Sequence, residues 1–124
     1  MENVRVPPSI EHTMNAITDL DADALSHAIH TKQVSCREVM AAYLARIHRV
    51  NPKFNAIVNM APDDALLAQA DECDADLARG LDRGWMHGMP QAIKDTGHAK
   101  GFPTTFGCAL LKDAVATQDS VMTA

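Results

Sequence analysis

Trp85-Met86-His87-Gly88-Met89-Pro90-Gln91-Ala92-Ile93-Lys94-Asp95, followed by Gly101-Phe102-Pro103-Thr104-Thr105-Phe106-Gly107, decides how this chain is read. The composition changes here: residues 81–108 hold five of the six glycines, with Pro90 and Pro103 among them. Glycine permits left-handed and close-approach backbone, and proline fixes φ and removes a donor, so the region predicts turns. Gln91-Ala92-Ile93 reads as a short extended piece leading into Lys94-Asp95. Asp95, beside glycine-containing loops, is expected to bond local backbone. Thr104 and Thr105 either line a site or order a turn through their hydroxyls, and the residues leave both open.

Upstream of Gly80 the chain is periodic. A helix is expected over 21–32, with Asp19, Asp21 and Asp23 at the positive end of its dipole and Leu25, Ala28 and Ile29 on one apolar face. Ser35-Cys36-Arg37-Glu38 is a capping box, flanked by Val34 and Val39 as a hydrophobic staple. Val39, Tyr43, Ile47 and Val50 then recur at helical spacing, joined by Met40 and Leu44, and Asn51-Pro52 is expected to end that helix. Phe54 to Met60, short and carrying β-branched residues, predicts a strand. Ala61-Pro62-Asp63-Asp64 opens a third helix with Leu66, Ala70, Cys73 and Leu77 as its buried stripe and Gly80 as its C′ residue. Its acids Asp71, Glu72, Asp74 and Asp76 are expected on a solvated face. Residues 1–17 carry Pro7-Pro8 and read as a leader lying on a surface. The order helix, helix, strand, helix, strand, loop is a mixed α/β beginning, although two or three short strands do not complete a sheet.

The chain has 124 residues, 47% hydrophobic and 22% charged, which fits one globular domain. Its formal net charge of −5 argues against a nucleic-acid partner, which needs clustered Lys and Arg. No apolar run approaches the roughly 20 residues of a membrane span, and the first residues lack the apolar stretch of a signal peptide. The three cysteines are odd in number and far apart, so no disulfide framework is expected. A cytoplasmic protein with reduced thiols follows.

The two stretches quoted first resemble the start of the amidase signature family: His-Gly-x-Pro-x-x-Ile-Lys-Asp, a short spacer, then Gly-x-x-Thr-Thr-x-Gly. The helix opening Ser-Cys-Arg-Glu, then Tyr43-Leu44-Ala45-Arg46-Ile47, Val50-Asn51-Pro52 and Asn55-Ala56, match in order, so the resemblance runs from about residue 18 to the last residue. It implies the N-terminal portion of the amidase-signature fold over 18–124, an α/β arrangement of helices packed on a mixed β-sheet. It also implies hydrolysis of carbon–nitrogen amide bonds by a Ser–cis-Ser–Lys triad, with no metal and no organic cofactor. Lys94 matches the catalytic lysine, a neutral amine that accepts a proton from the bridging serine. The two serines and the oxyanion loop belong to a Gly/Ser-rich segment further along in the family. Here Ser9, Ser26 and Ser35 precede Lys94, and Ser120 lies in Gln118-Asp119-Ser120-Val121 without a glycine-rich surround. Lys94 is therefore the only triad member, the sequence is expected to stop before the catalytic segment, and the chain alone is expected to be inactive. A small-molecule amide would be its substrate only once the missing part is supplied. Cys108 stands where the family commonly has serine.

Other readings compete with this one. His27, His30 and Cys36 invite a metal, but no Cys-x-x-Cys or His-Glu-x-x-His accompanies them. Cys108 with His98 or His87 would be a thiol nucleophile and base, yet no orienting third group is evident. A noncatalytic interaction module is the alternative function: exposed apolar stripes and open strand edges would dock to a complementary amidase fragment or to a second copy of the chain.

Overall fold

A computed structural model describes residues 16–124. Among the described residues, a helical stretch at 16–18 precedes three helices, α1 over Ala22–His30, α2 over Cys36–Phe54 and α3 over Asp63–Ala78, and a 3-10 turn at Ala109–Leu111 follows. The chain divides into two compact units. One comprises residues up to Phe54 with Pro62–Pro90, and the other Asn55–Ala61 with Gln91–Ala124.

The first unit is helical and owns the core. Asp21 caps α1 by accepting the Ala24 amide at 2.8 Å. The helix ends on Lys32 at φ 58°, with Lys32 N–H donating to the Ile29 carbonyl at 3.0 Å and Gln33 N–H to that of Ala28 at 2.9 Å. α2 starts as the capping box requires: Glu38 N–H donates to Ser35 Oγ at 3.0 Å, and Ser35 N–H donates to Glu38 Oε2 at 2.8 Å. α3 closes on Gly80 at φ 79°, with Leu81 N–H donating to the Asp76 carbonyl at 2.8 Å.

Ile17, Leu25, Ile29, Cys36, Val39, Ala42 and Ala70 form the buried cluster, with Val34, Met40, Tyr43, Cys73, Leu77 and Met89 packed on it. Each fully buried Val, Leu or Ile is worth about 1.5–3 kcal/mol of transfer free energy, so this cluster outweighs any single surface contact in the unit. The expected stripe of α2 fades along its length: Val39 is buried, whereas Val50 is 38% exposed.

Several expectations are corrected. α2 does not stop at Asn51-Pro52 but runs to Phe54. Pro52 sits in the last turn, where its missing donor costs one bond, and the helix ends at Asn55 in the left-handed region, φ 49°. The acidic face of α3 is not simply solvated. Asp74 accepts the amides of Cys36 and Arg37 at 2.7 and 3.1 Å, Asp71 pairs with Arg37 at 2.5 Å, and buried Asp76 is gripped by Arg79 and Arg83. The side-chain bonds from Arg83 and then Arg79 hold the Asp76 carboxyl below the usual carboxylate range. The mixed sheet does not form among the described residues. Phe54–Met60 is the last residue of α2 followed by irregular backbone, and Gln91–Ile93 is irregular as well. The leader assigned to residues 1–17 lies, up to residue 15, outside the described residues, while Ile17 belongs to the core. No helix among the described residues is long and apolar enough to cross a membrane.

Gly88 is the tightest backbone position. A Cβ built there would lie 2.2 Å from Cys36 Sγ, and its φ is +69°. Gly88→Ala is expected to lower stability by about 2–4 kcal/mol, overpacking and a left-handed backbone adding together. Urea denaturation checks this, and an unchanged midpoint would contradict the packing described.

Candidate active site

The second unit contains Lys94 and both halves of the Lys-Asp and Thr-Thr-x-Gly words. Lys94 is exposed, in a stretch without regular structure, and its carbonyl accepts the Gly97 amide at 2.7 Å to close a turn. Gly97 suits that turn, because a Cβ there would crowd Ile93 Cγ2 at 3.2 Å and the Lys94 carbonyl at 3.4 Å.

Asp95 is the organising group. Its carboxylate accepts the Thr105 amide at 2.8 Å, the Thr105 hydroxyl, and the Asn59 side-chain amide at 3.4 Å. Its backbone carbonyl accepts the Phe106 amide at 3.1 Å. The loop from Asp95 to Thr105 is thereby closed by one residue. The Thr105 side-chain and backbone bonds hold the Asp95 carboxyl below the usual carboxylate range. Thr105 orders the turn through its hydroxyl, and Thr104 is buried. Phe106 follows at φ 52°, a left-handed conformation that costs a bulky residue about 1–2 kcal/mol and that the Asp95 bonds maintain.

Around this loop the backbone pairs with residues 114–120. Thr104 N–H donates to the Ala114 carbonyl at 2.9 Å, Ala116 N–H to Phe102 at 3.0 Å and Gly101 N–H to Ala116 at 2.9 Å. Only Pro103 and Val115 form a bridge among the described residues, and it is isolated. Pro103 has no N–H to extend the ladder. Lys100 N–H adds a bond to Asp119 Oδ1 at 2.7 Å.

The other candidates fare differently. Cys108 is an exposed free thiol, and the ring of His98 lies edge-on to Phe106 at 6.3 Å. His87 is buried in the first unit with both ring nitrogens bonded, one to the Arg83 amide and one to the Cys73 carbonyl. His30 is committed to Ser26 and Asp82, and Cys36 is wholly buried with its thiol pushed up to about 12, first by burial and then by Asp74. No group of three or more His, Cys, Asp or Glu able to hold a metal occurs among the described residues. Asn59 is the site residue that pattern reading missed. It sits in the stretch expected to be a strand, and nothing in its spacing distinguishes it.

The chain belongs to the amidase family: a family model described as Amidase matches residues 38–124. It is similar to the protein named "Putative amidase AmiD" of Mycobacterium tuberculosis (strain ATCC 25618 / H37Rv), 33% identical over 119 residues, which is 96% of this chain and 24% of that protein. It is also similar to a glutamyl-tRNA(Gln) amidotransferase subunit of Acaryochloris marina, 37% identical over 100 residues, covering 81% of this chain and 20% of that protein. The same subunit of Granulibacter bethesdensis is 36% identical over 110 residues, covering 89% and 22%. The chain thus spans about a quarter or less of the length of these curated relatives.

Thr105→Val removes the first cause of the Asp95 shift, so the Asp95 carboxyl is expected to titrate closer to its ordinary 3.8. In the unsubstituted chain the loop's stabilisation is present above that value and is lost as pH falls through the depressed one. Carboxyl-carbon NMR titration reads both, and an Asp95 midpoint unmoved by the substitution would contradict the loop closure.

Proposed function

We propose that this chain carries the proton-accepting lysine, Lys94, of an amide hydrolase of the Ser–cis-Ser–Lys type, and that residues outside it supply both serines and the oxyanion loop. The observation that carries this is the Asp95 closure. The residue next to Lys94 binds Thr105 through both amide and hydroxyl, so the two family words lie in one loop system. In the proposed reaction the neutral lysine amine takes a proton from the bridging serine, which takes one from the nucleophilic serine as that attacks the amide carbonyl. A lysine in water, with a pKa near 10.4, is only about 0.04% neutral at pH 7, so such a base needs desolvation. Ile93 is 42% exposed and Lys94 is exposed, so the apolar approach from Met89 to Ile93 does not enclose it. The desolvation is assigned to the same outside residues. The α/β sheet of the family resemblance belongs there too, formed when further strands pair with the stretches at 54–60 and 91–93.

The chain alone is expected to show no turnover of a simple aryl amide. Enzyme-dependent hydrolysis by the 124-residue chain, abolished in Lys94→Ala, would overturn this assignment.

The docking reading has an observation of its own. The second unit contains no buried hydrophobic residue, while Phe106, Leu110, Val115, Val121 and Met122 are each more than half exposed. One relative is named as a subunit of an amidotransferase, which supports assembly with other polypeptide. We propose that this apolar surface is covered by a complementary amidase segment or by a second copy. Light scattering after size exclusion is expected to show self-association of the isolated chain. A monodisperse monomer with sharp cooperative unfolding of both units would argue against docking.

A further inference from the structure

Two histidine rings in the first unit lie edge to face, centroids 6.2 Å apart, yet their partners demand different protonation states. At His87, Nδ1 accepts the Arg83 backbone N–H at 3.0 Å, while Nε2 faces the Cys73 carbonyl at 2.8 Å. One partner donates and the other accepts, so the neutral ring with its proton on Nε2 satisfies both. At His30, Nδ1 faces the Ser26 carbonyl at 2.8 Å, beside the Ser26 hydroxyl at 3.4 Å whose proton goes to the Trp85 carbonyl, and Nε2 faces Asp82 Oδ1 at 3.2 Å. The carbonyl and the carboxylate only accept. Either neutral tautomer would set a ring lone pair against an oxygen lone pair, and only the imidazolium donates to both.

We propose that His30 acts as a protonated latch that fastens the loop 82–87 to the last turn of α1, and that the loop loosens when His30 loses its proton. The loop is held there at two points. Asp82 Oδ1 receives His30 and also the Gly84 amide at 2.8 Å, and the Ser26 hydroxyl donates to the Trp85 carbonyl at 2.7 Å. The second bond is neutral and persists, so deprotonation releases one end of the loop and leaves the other tied.

The surroundings favour the charged ring. His30 is the last residue of α1, where the helix dipole favours a cation. From α1, Asp23 and His27 line the same shallow depression as His30, and from the loop Asp82, Gly84 and Trp85 do. His87, the other titratable ring on the loop, lies 3.9 Å from Asp82 through Nδ1, which already accepts the Arg83 amide. Arg83 and Arg79 spend their charge on Asp76. The bond to the Ser26 carbonyl raises the His30 pKa, burial opposes it, and Asp82 adds to the rise. Ser26, His30 and Asp82 are not a nucleophilic triad: the Ser26 hydroxyl is spent on Trp85, and Nδ1 faces the Ser26 carbonyl.

The loop lies just before Met89 and Pro90, the last residues of the first unit, and the latch acts within that unit. It does not rest on the catalytic assignment of Lys94.

The sign of the effect follows from linkage. A proton held more tightly in the folded chain gives stabilisation that is complete below 6.5 and is lost as pH rises through the folded value. Ring-nitrogen NMR of the ¹⁵N-labelled chain tests it. His30 is expected to titrate above 6.5 and to carry protons on both nitrogens below its midpoint, and His87, when neutral, to show the Nε2–H tautomer. In Asp82→Asn the His30 midpoint is expected to fall. Resistance of the unsubstituted chain to urea unfolding should weaken as pH rises from 6.5 through the His30 midpoint, and by less in His30→Gln. A His30 midpoint at or below 6.5, or one unmoved by Asp82→Asn, would overturn the proposal. If His30→Gln does not fold, the ring titration of Asp82→Asn decides alone.

Discussion

The Asp74 carboxylate, seated on the first turn of α2, is the contact on which the first unit depends. It accepts the Cys36 and Arg37 amides from a helix 38 residues away in sequence, while Ser35 and Glu38 satisfy each other's amides on either side. A helix start leaves four amides without partners, and here those of Cys36, Arg37 and Glu38 bond side chains. A negative group at this end also suits the helix dipole. The clamp fixes α2 against α3, and that placement buries Cys36 beside Gly88, with no room for a side chain at position 88. Cap, core and the turn carrying His87-Gly88 are thus mechanically one object.

The helical part of this arrangement was legible in the sequence. Asp21, the Ser35–Glu38 box and Gly80 are local devices whose partners lie within a few residues, so spacing alone reveals them. The Asp74 clamp was not legible, because an acid on a helix reads as solvated until the neighbouring helix is placed against it. The same limit hid the role of Asn59 and the Ser26–Trp85 bond. The strands failed for another physical reason. Extended residues become a strand only when a neighbour accepts their ladder, and the pairing near Pro103 stops at one bridge.

At the candidate site the words His-Gly-x-Pro-x-x-Ile-Lys-Asp and Gly-x-x-Thr-Thr-x-Gly pointed to Lys94 and its neighbours, and the structure adds how the loop around them is held. Asp95 does the holding, through Thr105 and the Phe106 amide, and Lys94 stands exposed beside it. Enclosure is a property of what packs over a residue, and nothing in Met89 to Ile93 provides it. A core-bearing helical unit and a coreless loop unit therefore coexist in one chain, and they differ in the free energy that resists their opening.

Native-state hydrogen exchange measures that difference residue by residue. The account predicts that the amides of Cys36, Arg37 and Val39 are among the most protected in the chain. In residues 91–124, protection should be weak and confined to bonded amides such as Thr105 and Phe106. Protection of 91–124 equal to that of α2 would show a core in the second unit and would contradict the account.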